Sequence, residues 1–459
     1  MKQHLARGAH FFTRDRRFYR TFFPLLAVIT AQQLAALAVN MADNVMLGRY
    51  TELALSGATL VNQLQFILQQ LVAGIGMGVS VLGSQYWGRQ DIDPIRRITS
   101  VGVKFALGAG LLFFLLTYVA PEAVLSLFTN DRAVIAEGVR YLEIMCWTYI
   151  VFAVSNTLMY SLQSVETAFI GTVMSISTII INICLNYCLI YGNFGFPELG
   201  VKGAAIATLS SRCVELGIIL LYVLRMDQKL HLKLRHIFGF DFGYLKDFTG
   251  AAFPVMISGA LWGVAQAAQT AVLGHLSATV IAANAIAVVI FQIFVVVGMS
   301  SANAASVTMG KTVGEGRFDA VRAYTRTLQF IFLGIGVLCS AGMFLSREWI
   351  LSFYTVSAEA KTMASQFLVV LSISTLGTCY EYPVEGGIIA GGGDPKYQAV
   401  VDNLFMWLFT IPFAALAAFI LDASPLVVFA ILKADQLIKC LPNAIVCNRY
   451  RWVHSLTRE

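Results

Sequence analysis

Twelve apolar stretches, each long enough to cross a bilayer, recur through this chain and leave only short polar joints between them. They fall at roughly 22–45, 57–82, 101–120, 140–162, 168–191, 200–224, 249–274, 280–307, 327–345, 365–391, 399–421 and 425–447. Crossing the hydrocarbon core takes about 20 residues of helix, whereas a strand-built barrel would alternate apolar and polar residues along each segment. Only 13% of the residues are charged and 58% are hydrophobic, against roughly a quarter and about half in soluble domains. A soluble fold cannot hide that much apolar surface, because its exterior must face water. The chain therefore reads as an all-α polytopic membrane protein of twelve transmembrane helices, with no separate soluble domain.

Basic residues set the orientation. One set of joints holds Lys2, Arg7, Arg14, Arg16, Arg17 and Arg20, then Arg89, Arg96 and Arg97, then Arg225, Lys229, Lys233, Arg235 and Lys246. Lys311, Arg317, Arg322 and Arg326, then Lys396, Arg449, Arg451 and Arg458, fall on the same side. The opposite side offers Arg49, Arg132, Arg347 and Lys361, so the balance is 22 against 4. This bias places both termini in the cytoplasm of an inner-membrane protein. It also accounts for the net charge of +6 without nucleic acid as a partner. The first apolar run reads as a span, being too long for a signal-peptide core and lacking a small-residue cleavage site.

Cysteine and histidine give no metal pattern. Cys146, Cys184, Cys188, Cys213, Cys339, Cys379, Cys440 and Cys447 mostly sit in apolar runs without zinc-finger spacing, and read as small apolar side chains. His4, His10, His231, His236 and His454 lie in the tails or the mid-chain joint, and His275 at a helix end. Without a two-histidine metal motif or another catalytic constellation, an enzyme is not expected.

The chain repeats itself at one offset, close to half its length. Gly48 matches Gly274, Gly88 matches Gly314, Asp93 matches Asp319 and Arg96 matches Arg322, and Leu125 to Thr129 matches Leu351 to Thr355, every pair at the same separation. The offset slips slightly at Pro24 and Pro254. It carries six spans, an even number, so both halves cross in the same sense and a pseudo-two-fold axis should run along the membrane normal. The expected organisation is a cytoplasmic segment at 1–21, a first lobe at 22–224, a cytoplasmic linker at 225–248, a second lobe at 249–447 and a tail at 448–459. Repeats of this kind are characteristic of secondary transporters.

Ionisable groups inside spans are costly and usually face an aqueous cavity. Asp43 lies in the outer half of span 1, with Arg49 beyond the span. Asn182 and Asn186 lie four apart on span 5, hence on one face. A carboxylate and two amide carbonyls, joined by Thr208 of span 6, suit a proton relay or a hard cation such as Na⁺ at Asp43, Asn182 and Asn186. The bland alternative is that the asparagines only bond neighbouring helices. The second lobe puts Gln269 where the first has Asp43. Its own acids, Glu381 and Glu385, stand one turn apart on span 10. They are a candidate second coupling pair, unless each is matched by a basic residue from elsewhere. Arg212 with Glu215, and Lys433, Asp435 and Lys439, read as internal ion pairs. Trp262, Phe291, Tyr149 and Tyr380, with Gln269, are candidates to line a cavity.

Three glycine-rich stretches carry no nucleotide chemistry. Gly310-Lys311-Thr312 lacks the earlier glycine and the upstream strand of a phosphate loop, Ala305 standing at the required position. Gly74, Gly76 and Gly78 permit close helix packing within span 2. Gly391-Gly392-Gly393-Asp394-Pro395 reads as the turn between spans 10 and 11. With no ATP site, energy should come from an ion gradient or from a partner subunit, the gradient being the simpler source.

The segment from Asn40 to Arg49, the run Gly83-Ser84-Gln85-Tyr86-Trp87-Gly88, and Asn182-Ile183-Cys184-Leu185-Asn186-Tyr187 together resemble the multidrug and toxic compound extrusion (MATE) family. So do Tyr191-Gly192, Pro197-Glu198-Leu199-Gly200 and the run Gly203 to Thr208, and the likeness covers nearly the whole chain. The resemblance implies a two-lobe antiporter exporting organic cations or drugs in exchange for H⁺ or Na⁺ by alternating access. It implies a central coupling role for Asp43, with no cofactor beyond the ion. The implied partners are a small organic substrate and the lipid bilayer, and the chain is expected to act as a monomer. Some members carry aspartate where Asn186 stands. One subgroup has a span 7 glutamate where Trp262 stands, and a span 10 aspartate that aligns with Tyr380, beside Glu381. A flippase of a lipid-linked precursor from the same superfamily is the alternative, and would favour a strongly cationic cleft.

Overall fold

The computed structural model describes residues 12–129, 131–233, 243–274, 276, 278–353 and 357–458. Lys2, Arg7, Arg235, the histidines at 4, 10, 236 and 275, and Tyr354 and Thr355 of the repeat lie outside the described residues.

The spans form α1 (Arg16–Tyr50), α2 (Glu52–Gly88), α3 (Ile92–Val119), α4 (Arg132–Ser164), α5 (Phe169–Tyr191) and α6 (Val201–Leu221). The second half has α7 (Leu245–Gly274), α8 (Ala278–Gly314), α9 (Phe318–Ser352), α10 (Ala358–Tyr382) and α11 (Pro395–Phe405). Wider π-type turns extend α10 through Pro383–Ile389 and α11 through Met406–Thr410, after which α11 resumes as Ile411–Phe419. Eleven of the described helices are long and apolar enough to cross a membrane. The twelfth crossing, α12, is divided at Lys439 into Pro425–Ile438 and Cys440–Arg449. Its backbone continues through the division, since Lys439 N bonds Asp435 O at 2.9 Å and Asn443 N bonds Lys439 O at 3.0 Å.

Most helices outrun the apolar stretches that announced them. α2 begins five residues before its expected start at 57 and ends six after its expected end at 82. Apolarity stops at the edge of the hydrocarbon, but backbone hydrogen bonding continues into the interface. The repeat is kept in the helix starts: Glu52 and Ala278, Ile92 and Phe318, Arg132 and Ala358, and Phe169 and Pro395 are all set at the repeat offset. Even the caps correspond. Asp131 accepts from Ala133 N at 2.9 Å, and Ser357, its counterpart in the repeat, accepts from Ala360 N at 3.2 Å.

Two compact units result. One comprises Ala31–Gly83 and Asp91–Met256. Here the small residues of α2 allow backbones to touch: a Cβ on Gly74 would stand 2.7 Å from Met256 backbone, and one on Gly78 would stand 2.6 Å from Ala252. The other comprises Met1–Thr30, Ser84–Gln90 and Ile257–Glu459. Its apolar core joins α7–α12 through Val272, Ile290, Met343, Leu371 and Phe429, with the Phe367 and Phe429 rings stacked at 4.0 Å.

Both described ends of the chain are fastened within this second unit. Trp452 is buried over Gly392, where a Cβ would lie 2.0 Å from the indole, and His454 N donates to Gly392 O at 3.0 Å. Gly393 takes φ +121, so the expected turn after α10 is built on glycine. Beyond it, Leu456 N donates to Gln85 Oε1 at 2.7 Å, Arg458 N donates to Tyr86 Oη at 3.0 Å, and Arg89 donates to Thr457 Oγ1 at 2.8 Å. At the other end, Thr13 N donates to Thr327 Oγ1 at 2.9 Å. Asp15 accepts from Arg317 at 2.7 Å and from the Tyr324 hydroxyl at 2.6 Å.

Those two donors, the tyrosine first, hold the Asp15 carboxyl down at about 2. A depressed native value stabilises the fold above the unfolded carboxyl's range, and that stabilisation is lost as pH falls toward 2. In detergent, Asp15→Asn should lose about 1–2 kcal/mol at neutral pH. Its thermal midpoint should also fall less steeply than the parent's between pH 5 and pH 2. Parallel curves for the two proteins would refute the contribution.

Candidate functional site

The first lobe gathers four of the expected polar residues. Asp43 of α1, Asn182 and Asn186 of α5, and Thr208 of α6 are all buried. Asn186 Nδ2 donates to Asp43 Oδ1 at 2.5 Å and to Asn182 Oδ1 at 3.1 Å, and Asn182 Nδ2 donates to Thr208 Oγ1 at 3.3 Å. The four-residue spacing on α5 puts both amides on one face, and α1 and α6 close on it from either side. Among the described residues no lysine or arginine nitrogen lies within 4.0 Å of the Asp43 carboxylate. Asn186 Oδ1 is buried without a hydrogen-bond partner. Carboxylate, amide and hydroxyl oxygens are the hard donors that Na⁺ takes; here Asn186 turns its Nδ2 toward Asp43, so its amide would have to flip to offer Oδ1 to an ion beside the carboxylate. The same flip would let that oxygen accept from a protonated Asp43.

Sequence reasoning missed Tyr141. This fully buried phenol of α4 lies close to Asp43 and Thr208. Its only sequence signal was a polar tip in an otherwise apolar span, which any packed tyrosine shares.

Thr178 is one turn before Asn182, and Arg212 one turn after Thr208, so the polar face continues along α5 and α6. Arg212 pairs with Glu215 at 2.7 Å, as expected, and Ser155 donates to Glu215 Oε1 at 3.1 Å. A small cavity of about 40 Å³ opens here, lined by Ala35, Ala36, Val39, Ser175, Thr178, Arg212 and Glu215.

The second lobe is built differently. Gln269, at the repeat position of Asp43, accepts from Lys433 Nζ at 3.1 Å and donates to Met406 Sδ at 3.1 Å. The expected ion pair of Lys433 is not formed: among the described residues its ammonium meets Gln269 and the Phe429 ring, at 5.9 Å, rather than a carboxylate. One lobe thus sets a carboxylate against an amide, where the other sets an ammonium against one.

Glu381 and Glu385 do come together, in a cluster larger than the two of them. Lys439 Nζ lies 2.7 Å from Asp402, 3.4 Å from Glu381 and 3.7 Å from Asp435. The basic partner weighed as the bland alternative for Glu381 is therefore present. Glu385 accepts from Asn443 Nδ2 at 2.9 Å, and Tyr397 donates to Asn443 Oδ1 at 2.8 Å. Four carboxylates face one ammonium, and Glu381 Oε2, Glu385 Oε1 and Asp435 Oδ1 are buried without hydrogen-bond partners. Oxygens of Glu381, Glu385 and Asp402 all lie within 4.8 Å of one another, close enough to share a cation. Asp402, an acid inside the expected span at 399–421, was a signal the sequence did carry; its partners were not legible, because nothing along the chain ties α11, or Asn443 of α12, to the middle of α10. The π-type turn at Pro383–Ile389 re-aims Glu385 within its helix, a distortion frequent at functional sites.

Of the expected cavity-lining residues, Tyr380 lines a second cavity, of about 340 Å³, with Arg326, Gln329, Phe330, Leu333 and Asn448. Tyr149 is fully buried and edge-on to Phe113 at 6.2 Å, and Trp262 is half-buried; neither lines this cavity or the smaller one. Gly310-Lys311-Thr312 is continuous α8 helix, with no phosphate loop.

The sequence profile described as MatE matches this chain twice, at residues 29–188 and 254–416. The chain belongs to the MatE family. The starts of the two matches, 29 and 254, fall within one position of the repeat offset. A relative in Xylella fastidiosa (strain Temecula1), described as "Probable multidrug resistance protein NorM", is 24% identical over 393 residues, 84% of this chain and 82% of its own. A crystal structure of a mutant of the Vibrio cholerae MATE transporter VcmN superposes with a TM-score of 0.86 at 15% identity, covering 96% of this chain and 98% of that one. A MOP superfamily transporter from Pyrococcus furiosus, whose binding pocket is described as reversed in polarity, gives 0.86 at 17% identity, over 97% and 100% of the two chains. These likenesses show the fold. This MatE chain is accordingly a multi-pass membrane transporter of two six-helix halves, and not an enzyme.

The second-lobe cluster makes a sharp prediction. Lys439→Met should destabilise the detergent-solubilised protein by about 3–5 kcal/mol, because it strands buried carboxylates. Adding Glu381→Gln should recover part of that loss, giving a non-additive double-mutant cycle in thermal melts. A Lys439→Met protein as stable as its parent would mean that the cluster carries no net charge for the lysine to offset.

Proposed function

We propose that this MatE chain is a secondary active antiporter that exports organic cations or drugs in exchange for H⁺ or Na⁺ by alternating access. The observation that carries the reading is Asp43, a buried intramembrane carboxylate held by neutral amides rather than by a basic side chain. Such a group is tolerable in hydrocarbon when a proton or cation neutralises it. Its affinity for an organic cation then depends on whether the ion is present, which is the coupling an exchanger needs. Asn182, Asn186 and Thr208 supply the remaining oxygens. The multidrug descriptions of its relatives support the substrate class.

The second-lobe group of Glu381 and Glu385 is a further coupling candidate in this reading, with Lys439 offsetting one of its charges. The protein lies in the inner membrane with both termini in the cytoplasm. Its lobes are 22–224 and 249–447, joined by the linker at 225–248. It works as a monomer, and its only required partners are the substrate, the ion and the bilayer.

Purified protein in liposomes tests this directly. A Na⁺ gradient and a pH gradient are imposed separately while efflux of a fluorescent organic cation is followed. One gradient should drive accumulation against the cation's own gradient, and Asp43→Asn should lower that driven transport by at least about tenfold. Full transport in Asp43→Asn would overturn the role of Asp43. Dissipation without accumulation under either gradient would overturn antiport.

A further inference from the structure

At the start of α9, two guanidinium groups stand about one turn apart without an acidic partner. Among the described residues no carboxylate oxygen lies within 4.0 Å of Arg322 or Arg326. Arg322 lies over the Tyr450 ring at 5.3 Å, and its Nε is buried with no acceptor. The internal repeat supplies the control. Arg96, the first-lobe counterpart of Arg322, pairs with Asp93 at 2.9 Å and donates to Leu230 O at 2.6 Å. In the second lobe the matching acid, Asp319, makes no such pair with Arg322. Arg326 has no basic counterpart at all, since Ser100 occupies the matching position.

Beyond Arg326 the cavity of about 340 Å³ opens on the flank of the lobe. Its floor is polar and already satisfied: the Tyr380 hydroxyl donates to Gln329 Oε1 at 2.8 Å, and Asn448 Nδ2 donates to the same oxygen at 3.2 Å. Its rim is apolar: Phe330, edge-on to Phe12 at 5.2 Å, is 43% exposed, Leu333 41% and Val337, one turn farther on, 56%. Gly334 leaves a gap along this rim, where an added Cβ would meet nothing within 4 Å. Arg326 lines this cavity, Arg322 stands about one turn before it, and the exposed apolar face of α9 continues beyond it.

We propose that the cavity and this face form a groove that binds an anionic phospholipid, the phosphate between Arg322 and Arg326 and one acyl chain along Phe330, Leu333, Gly334 and Val337. Charge complementarity selects the headgroup, and the apolar groove selects a ligand that carries a chain. The positive-inside bias assigns this end of α9 to the cytoplasmic leaflet, where anionic headgroups and basic inter-helix pockets meet. A soluble phosphate would satisfy the arginines but leave the groove empty.

Native mass spectrometry of the full-length protein, titrated with dioleoylphosphatidylglycerol or dioleoylphosphatidylcholine, tests the site. One phosphatidylglycerol should be retained per chain, in preference to phosphatidylcholine by roughly tenfold or more. The Arg322→Gln/Arg326→Gln double variant should lose that preference. Gly334→Leu, which fills the groove and leaves the charges alone, should weaken both lipids. Elution of each variant at the parental volume on gel filtration confirms that it is folded. Equal retention of the two lipids, or an unchanged preference in the double variant, overturns the proposal. So does displacement of the lipid by millimolar glycerol phosphate, which would make the site one for soluble anions.

Discussion

A charge placed in hydrocarbon must be answered within a few ångströms, because no water is there to answer it. The two lobes meet this demand in different ways. Around Asp43 the neighbours are amides and a hydroxyl, which solvate a carboxylate but cannot cancel it. Around Glu381, Glu385, Asp402 and Asp435 there is a true counter-charge in Lys439, but one cation faces four acids. Neither arrangement closes electrically by itself. The residues that look least stable are thus the ones the antiport proposal assigns to an arriving ion.

The duplicated backbone makes this divergence measurable. Helix starts keep one offset through four successive pairs, since each must enter the bilayer at the same depth in both halves. The interior chemistry is under no such restraint. Gln269 with Lys433 stands where the first lobe has Asp43 with its amides, so the same scaffold carries opposite polarity at matching positions. Likewise the Asp93–Arg96 pair of the first lobe has no equivalent between Asp319 and Arg322.

The spans were legible in the sequence because each is defined by a local property, about 20 apolar residues in a row. α12 was legible as well, at 425–447, although Lys439 stands within its apolar run; that side chain turns inward to the acids instead of ending the helix. Pairs on one helix were legible too, as with Asn182 and Asn186 or Arg212 and Glu215, because 3.6-residue periodicity places them. Partners from other helices were not. Tyr141, Asp402 and Asn443 reach their clusters through tertiary packing, which no spacing along the chain encodes. Lys433 was assigned to a carboxylate when its true neighbour, Gln269, belongs to another helix altogether.

The fastening of residues 454–458 to the tip of α2 has a consequence for biogenesis. Gln85, Tyr86 and Arg89 leave the ribosome early, yet their hydrogen-bond partners, Leu456, Arg458 and Thr457, follow only after every span has been made. Until those partners emerge, this tip of α2 must be solvated by water or guarded by the insertion machinery. Closure of the unit is therefore a late event, separated from membrane insertion of the helix it completes. For the same reason, a purification tag placed directly after Arg458 would sit on a structural seam, and a flexible spacer is needed to keep it clear.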